Sequence, residues 1–407
     1  MKNVSDVGDL CTGCGTCAAM CPLESVVMRI DHDRGVYEPL VDGECDGCGV
    51  CLRVCPGVGV DFTDLNMRVF GREPDDILMG NYEECYIAHS RDDELRYGAS
   101  SGGMISQILI YLLEEGLIDG ALVTRMNPER PLEPEPFIAR TPSEIIESRG
   151  SKYCPVPANV ALKEILEVPG RYAVVGLPCH IHGVRKAEVI SRKLRERIVY
   201  HLGIVCNHAP SFRATEFLLE RLGVDPGDVK SIRYRGEGWP GSLRVETESG
   251  DLLLLLPEYW GSGFGQLFMP ERCRLCADHM AELSDISFAD PWLKELKDEK
   301  KGRTLVIIRK WPAKFAGILK GGICEIDKIK PEKALLSQIY NIYMKKKLCR
   351  RSMYNGSFPE IDFIDRIILS FEPSRLKIPW TIKRRYMFFY SMIVALKARM
   401  DFLGDSK

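Results

Sequence analysis

At 407 residues, 45% of them hydrophobic, the chain is long enough for two or three domains around a sizeable core. A formal net charge of -2 makes no general electrostatic case for a nucleic-acid partner, and the lack of any run of ~18 uninterrupted apolar residues argues against a transmembrane segment. Sixteen cysteines behind the opening MKNVSDVGDL, which holds no apolar leader stretch, fit a reducing cytoplasm where thiols serve metals and catalysis.

In chain order, the first elements are two cysteine sets, CTGCGTCAAMCP from Cys11 and CDGCGVCLRVCP from Cys45. Both read C-x2-C-x2-C-x3-C-P, the bacterial ferredoxin spacing, in which three cysteines hold one [4Fe-4S] cluster and the fourth reaches across to the other. Cys11, Cys14, Cys17 and Cys55 are therefore assigned to one cluster, and Cys45, Cys48, Cys51 and Cys21 to the second. Gly13 and Gly47 let backbone N–H groups approach the sulfurs. A zinc ribbon would use two pairs of thiolates per metal, and a disulfide framework would need export. VGVDFTDL reads as a short apolar stretch and FGREPDD as a linker, which bounds a two-cluster ferredoxin domain at 1–75. That segment is acidic, with 6 Lys/Arg against 13 Asp/Glu.

From residue 76 the pattern changes to alternating strands and helices. CYIAHS, GALVTRM, RYAVVGLPC, RIVYHLGIVC, DISFADPW and GRTLVIIRK read as strands. MISQILIYLLEEGLIDG is an amphipathic helix opened by Gly102-Gly103 and stopped at Gly116. PSEIIESRG, PANVALKEILEVPG and a segment from Pro210 to Leu222 read as further helices. VKSIRYRGEG and LRVETESGDLLLLLP suggest an antiparallel hairpin. The expected fold is mixed α/β (α+β): the small ferredoxin-like domain, a mixed-sheet domain over 76–335, and a basic, mostly helical extension over 336–407. Residues 341–407 carry 14 Lys/Arg against 6 Asp/Glu. The aromatic, basic segment from Pro373 can pack on its own core, on a partner, or on a membrane surface.

Four cysteines from three loops, Cys179, Cys206, Cys273 and Cys276, can converge on a third cluster, on a zinc ion, or on nothing; the CRLC pair argues for a metal. The small residues of YGASSGGMISQ before a helix start leave backbone N–H groups for an anion, or serve as a plain helix cap. Lys152 in RGSKYCP is a candidate phosphate partner or a solvated lysine. His180 and His182 are candidate proton-transfer groups, or buried histidines with ordinary hydrogen bonds. No G-x-G-x-x-G follows a predicted strand, which argues against a nicotinamide-binding Rossmann domain.

YGASSGGMISQILIYLLEEGLIDGALV, SRGSKYCP, VVGLPCHIHGVRK, HLGIVCNHAPS, RCRLCADHMAELSDISFADPW and GRTLVIIRK, in this order, resemble the family of coenzyme F420 hydrogenase/dehydrogenase beta subunits. The likeness runs from about Cys85 to Lys310, and in layout resembles the F420H2-dehydrogenase branch. The resemblance implies an FAD that exchanges hydride with F420. It places Ser100, Ser101, Gly102, Gly103, Ser151, Lys152 and Tyr153 around that FAD, and Cys179, Cys206, Cys273 and Cys276 around a cluster beside it. Cys85, Cys154, Cys324 and Cys349 are read as structural thiols, and Arg235 as meeting either the acidic F420 tail or an ion-pair partner. A redox partner protein or complex, free or membrane-associated, is implied for the electrons. The alternatives are a reductase of another small substrate, as in relatives acting on sulfite, glutamate synthesis or chlorophyll derivatives, and an electron relay without flavin.

Overall fold

The computed structural model describes residues 3–311, 322–348 and 393. The extension expected over 336–407 lies outside the described residues beyond 348 except for Ile393, as does Cys349.

The repeat in the sequence is a repeat in the backbone. In each cysteine set a glycine in the left-handed region, Gly15 (φ 83°) or Gly49 (φ 70°), starts a short helical turn, Thr16–Ala19 and Val50–Arg53. Between the turns, β1 (Val26–Asp31) and β2 (Val36–Val41) form an antiparallel hairpin with Val26 opposite Val41. Val4, Val7, Val26, Cys17, Cys51 and Cys55 make a small local core. The stretch read as VGVDFTDL ends in a helix, α1 (Phe62–Phe70), N-capped by Asp61 accepting from Asp64 N–H and closed by Gly71. Phe62 and Leu65 enter the same cluster as Leu162, Ile165, Ile181 and Val184. The head is packed onto the rest of the chain through a shared core.

The body holds β3 (Glu84–Ser90), β4 (Gly120–Met126), β5 (Pro134–Ala139), β6 (Tyr172–Gly176), β7 (Ile198–Ile204), β8 (Val229–Arg233), β9 (Ser242–Thr247), β10 (Gly250–Leu255), β11 (Ile286–Ala289), β12 (Thr304–Ile308) and β13 (Cys324–Ile329). Eight of them form one sheet in the order β13-β3-β12-β11-β7-β6-β4-β5, parallel only among β11, β7, β6 and β4. Where a hairpin was expected, β8, β9 and β10 make a three-stranded antiparallel sheet, because LRVETESGDLLLLLP turns on itself at Gly250.

Helix α2 (Met104–Glu114) begins after Gly103 at φ 74° and buries Ile108, Leu109 and Leu112 against one face of the large sheet. Each such side chain contributes about 1.5–3 kcal/mol. Helix α3 (Pro178–Ile190) starts directly from β6, with Pro at its first turn, and buries Ile181 and Val184 on the other face. Helix α4 (Phe212–Leu222) packs with the small sheet, and α5 (Pro331–Tyr343) covers the β3 side. Among the described residues no helix is long and apolar enough to cross a membrane.

Candidate functional site

Parallel strands leave a crevice at their carboxyl ends, the usual ligand position in open α/β sheets. Here a cavity of about 1020 Å³ is lined by residues at or beyond the ends of β6 (Gly176, Leu177), β7 (Val205, Cys206) and β11 (Ala289, Asp290). The first turn of α2 also lines it, and that helix has no side-chain N-cap. Its first N–H groups lack intrahelical partners, which makes this the positive end of a helix opening on a cavity.

Six of the seven residues anticipated around a flavin line this cavity: Ser100, Ser101, Gly103, Ser151, Lys152 and Tyr153. Gly102 sits behind them. Its N–H donates to Thr304 Oγ1 at 2.8 Å, and a Cβ there would meet the Ala88 carbonyl at 2.6 Å. Close packing, not a free N–H, is what this position needs. Ser100 Oγ accepts from the N–H and hydroxyl of Ser151, and Ser101 Oγ donates to the Arg303 carbonyl. Lys152 differs from its expected role. Its ammonium donates to the carbonyls of Ser148, Arg149 and Gly150, and burial pulls its pKa down to about 7. Tyr153 packs edge-on against Trp260 at 4.9 Å. Arg235 is an ion-pair residue: its guanidinium grips both carboxylate oxygens of Asp290, at 2.6 and 3.1 Å.

Several of the head cysteines lie close enough to act on one another's thiols. Burial pushes the Cys11 thiol up to about 12 against a Gly13 N–H bond, with Cys14 and Cys55 adding to it. Burial likewise raises Cys17, with Cys14, Cys11 and Cys55 as its neighbours. For Cys51 burial leads, and the nearby thiols are Cys48 and Cys21. The fourth cysteine of each set thus lies with the opposite set. Cys45 and Cys48 are exposed, while Cys14, Cys17, Cys51 and Cys55 are buried.

Cys179 stands in the first turn of α3 rather than in a loop, Cys206 follows β7, and Cys273 and Cys276 lie in and after the turn Glu271–Leu275. Burial raises Cys179 strongly, and Cys14, Cys206, Cys276 and Cys273 act on it. These four thiols therefore share one neighbourhood, with Cys14 of the head alongside. Cys206 and Cys273 also line the cavity. Among the described residues no three His, Cys, Asp or Glu side chains surround a single ion-sized point.

His180 is a buried structural histidine: Nδ1 accepts from Leu177 N–H, Nε2 donates to the Val156 carbonyl, and burial pulls it down to about 4. His182 bonds Asp278 at 2.8 Å with both side chains buried. Sequence reasoning passed over His208, in the HLGIVCNHAPS motif. It lines the cavity, is 6% exposed, and neither ring nitrogen makes a hydrogen bond of normal geometry. The Gly265 backbone interacts with this ring, and a ring nitrogen left over beside a large cavity is what a polar ligand would satisfy. Trp260, whose ring lies 6.0 Å from His208, was passed over as well.

Residues 85–163 and 170–332 match the N-terminal and C-terminal parts of the coenzyme F420 hydrogenase/dehydrogenase beta subunit, and residues 3–56 match a 4Fe-4S dicluster domain. The beta subunit of the coenzyme F420 hydrogenase of Methanothermobacter thermautotrophicus is 28% identical over 278 residues, 65% of this chain and 92% of that protein. A component of the F420H2 dehydrogenase of Methanosarcina mazei is 28% identical over 288 residues, 69% of this chain and 75% of that one. A chain of the F420-reducing [NiFe] hydrogenase complex from Methanosarcina barkeri aligns with a TM-score of 0.54 at 25% identity, covering 68% of this chain and 93% of that one. With both halves of the family present in order and a cluster-binding head before them, the chain belongs to the family of coenzyme F420 hydrogenase/dehydrogenase beta subunits and carries an N-terminal 4Fe-4S dicluster domain.

Proposed function

We propose that the chain exchanges hydride between F420H2 and an FAD held in the cavity, and passes the electrons singly through its thiol quartets to a partner. One observation carries this reading: the cavity walled by Ser100, Ser101, Gly103, Ser151 and Tyr153 is also walled by Cys206 and Cys273 of the third quartet. A flavin supplies the conversion between hydride and single electrons, which neither a deazaflavin nor an iron–sulfur cluster can make alone. The residues fit such a group. The cavity lies at the top of the ~300–1,000 Å³ range of ligand sites, the uncapped start of α2 suits a diphosphate, and Tyr153 and Trp260 offer an apolar wall.

The role of each chain segment follows. Cys179, Cys206, Cys273 and Cys276 would hold the cluster nearest the flavin. Cys11, Cys14, Cys17 and Cys55 come next, with Cys14 acting on Cys179. Cys45, Cys48, Cys51 and Cys21 are the outlet, because Cys45 and Cys48 reach the surface. Exposed Asp42, Glu44 and Asp46 surround that outlet, which favours a partner with a basic face. The cysteine-rich composition fits a cytoplasmic protein. The flavin-free relay is disfavoured by a large cavity that a relay would not need.

The test is anaerobic turnover. Purified protein should release FAD on denaturation and bleach or restore F420 absorbance with an artificial acceptor or donor, ignoring NADH and NADPH. Rapid turnover with NADH but none with F420H2 would refute the reading.

A further inference from the structure

Where the head meets the body, one buried amide has its orientation set from both sides. Asn159 Nδ2 lies 2.8 Å from the His180 carbonyl and 2.7 Å from Thr16 Oγ1. A carbonyl only accepts, so the group facing His180 is the NH2, and the same NH2 donates to Thr16. With Thr16 Oγ1 accepting from Asn159, its own proton is left for Cys14 Sγ, 3.2 Å away. A metal-bound thiolate carries no proton, so in that state Thr16 is the donor. The Asn159 backbone N–H closes the arrangement on the Cys14 carbonyl at 2.9 Å. Thr16 and Asn159 are 0% and 1% exposed, and a Cβ on Gly183 would come within 2.1 Å of Thr16 Oγ1. Water has no room to replace these bonds. His180 and Gly183 belong to α3, the helix whose first turn holds Cys179, so hydrogen bonds run from the Cys14 sulfur to the residue beside Cys179.

The internal repeat supplies a control. Thr16 is the residue before the third cysteine of the first set, and the matching residue of the second set is Val50, which has no proton to donate. The two quartets of the head differ chemically at this position.

We propose that Asn159 is a positioning residue that aims the Thr16 hydroxyl at Cys14 Sγ, and that this bond raises the reduction potential of the cluster held by Cys11, Cys14, Cys17 and Cys55, so that this quartet accepts electrons from the Cys179 quartet. Hydrogen bonds to cluster sulfurs stabilise the extra negative charge of the reduced form. Each electron reduces the Cys14 side by one and oxidises the Cys179 side by one. No bond breaks, and the Thr16 proton stays on oxygen. The proposal rests on the iron–sulfur part of the reading above, and not on F420.

The experiment is a mediated redox titration of the anaerobic, full-length protein, with chemical reductants and electron paramagnetic resonance as the readout. Thr16→Val should keep its iron and shift one head cluster downward by about tenfold in its reduction equilibrium, about 59 mV for a one-electron couple. Thr16→Ser should titrate like wild type. Thr16→Val with full iron and wild-type potentials would overturn the proposal. Should Thr16→Val lose iron, electron–nuclear double resonance on reduced wild type reconstituted in H2O and in D2O decides instead. A strongly coupled exchangeable proton at the Cys14 cluster is expected, and its absence overturns the proposal. A wild type with no cluster signal at all would overturn the iron–sulfur reading and this proposal with it, whatever F420 assays show.

Discussion

His201 shows what single residues do in this chain. Nδ1 faces Asp285 at 3.0 Å, Nε2 faces Glu188 at 2.7 Å, and Arg185 reaches both carboxylates, all of it buried. Two carboxylates on two ring nitrogens require both to donate, so the ring is an imidazolium. Burial and Arg185 push His201 down, but Glu188 and Asp285 outweigh them and raise it. Burial pushes Glu188 and Asp285 up, while Arg185 and His201 bring both below the ordinary carboxylate range. The carboxylates stabilise the fold above about pH 4, and that contribution is lost as pH falls through their lowered values. The imidazolium contributes fully below about pH 6.5, and that is lost as pH rises through its raised value. Chemical denaturation across pH should find the network strongest between those limits. Asp285→Asn should cost about 3–5 kcal/mol and flatten the acid limb. In the third quartet, Cys276→Ser should lose about four irons of a total near twelve, while Cys85→Ser should lose none by iron analysis. The dicluster head was legible from spacing alone, because a cluster dictates it. The ion-pair reading of Arg235 holds, with Asp290 as its partner, whereas the role of Lys152 was not legible, because the way its loop folds turns the carbonyls of Ser148, Arg149 and Gly150 onto its ammonium.

Elements with a full helical or buried-strand pattern could be read directly. α2 shows apolar positions at helical spacing between two glycines, and β12 buries all five of its residues. Elements whose reason for existing is tertiary could not. The β1/β2 hairpin stands on the surface of a small head, and α1 hides in a stretch whose amphipathic character shows only once Phe62 and Leu65 meet the body. Gly102 belongs to this scale, since its missing Cβ lets the start of α2 pass the Ala88 carbonyl. Gly102→Ala should cost about 1–3 kcal/mol of stability through overpacking. It should also weaken flavin retention by displacing the first turn of α2 from the cavity. Thermal melting with flavin added and withheld would separate the two effects.

For the whole molecule, the proposed electron line from the cavity to the exposed Cys45 and Cys48 depends on head and body being one packed unit. Val54, Phe62 and Leu65 of the head share a cluster with Leu162, Ile165 and Ile181 of the body. Deleting residues 1–75 should therefore uncover a contiguous apolar surface and give an aggregating body in size-exclusion chromatography. A monomeric truncated body melting at the full-length temperature would show the shared core to be dispensable. The family and the dicluster head were legible at this scale, but the nearness of the Cys179 and Cys14 thiols was not, since nothing local in the sequence brings them together.

The electron line is tested most directly by rapid anaerobic mixing of F420H2 with oxidised wild type and with Cys276→Ser, following flavin and cluster absorbance together. In wild type the flavin bands should bleach first and the head clusters after them. In Cys276→Ser the flavin should bleach at an undiminished rate while the head clusters stay oxidised. If the variant reduces its head clusters as fast as wild type, Cys179, Cys206, Cys273 and Cys276 are core thiols and the path from cavity to rim runs elsewhere.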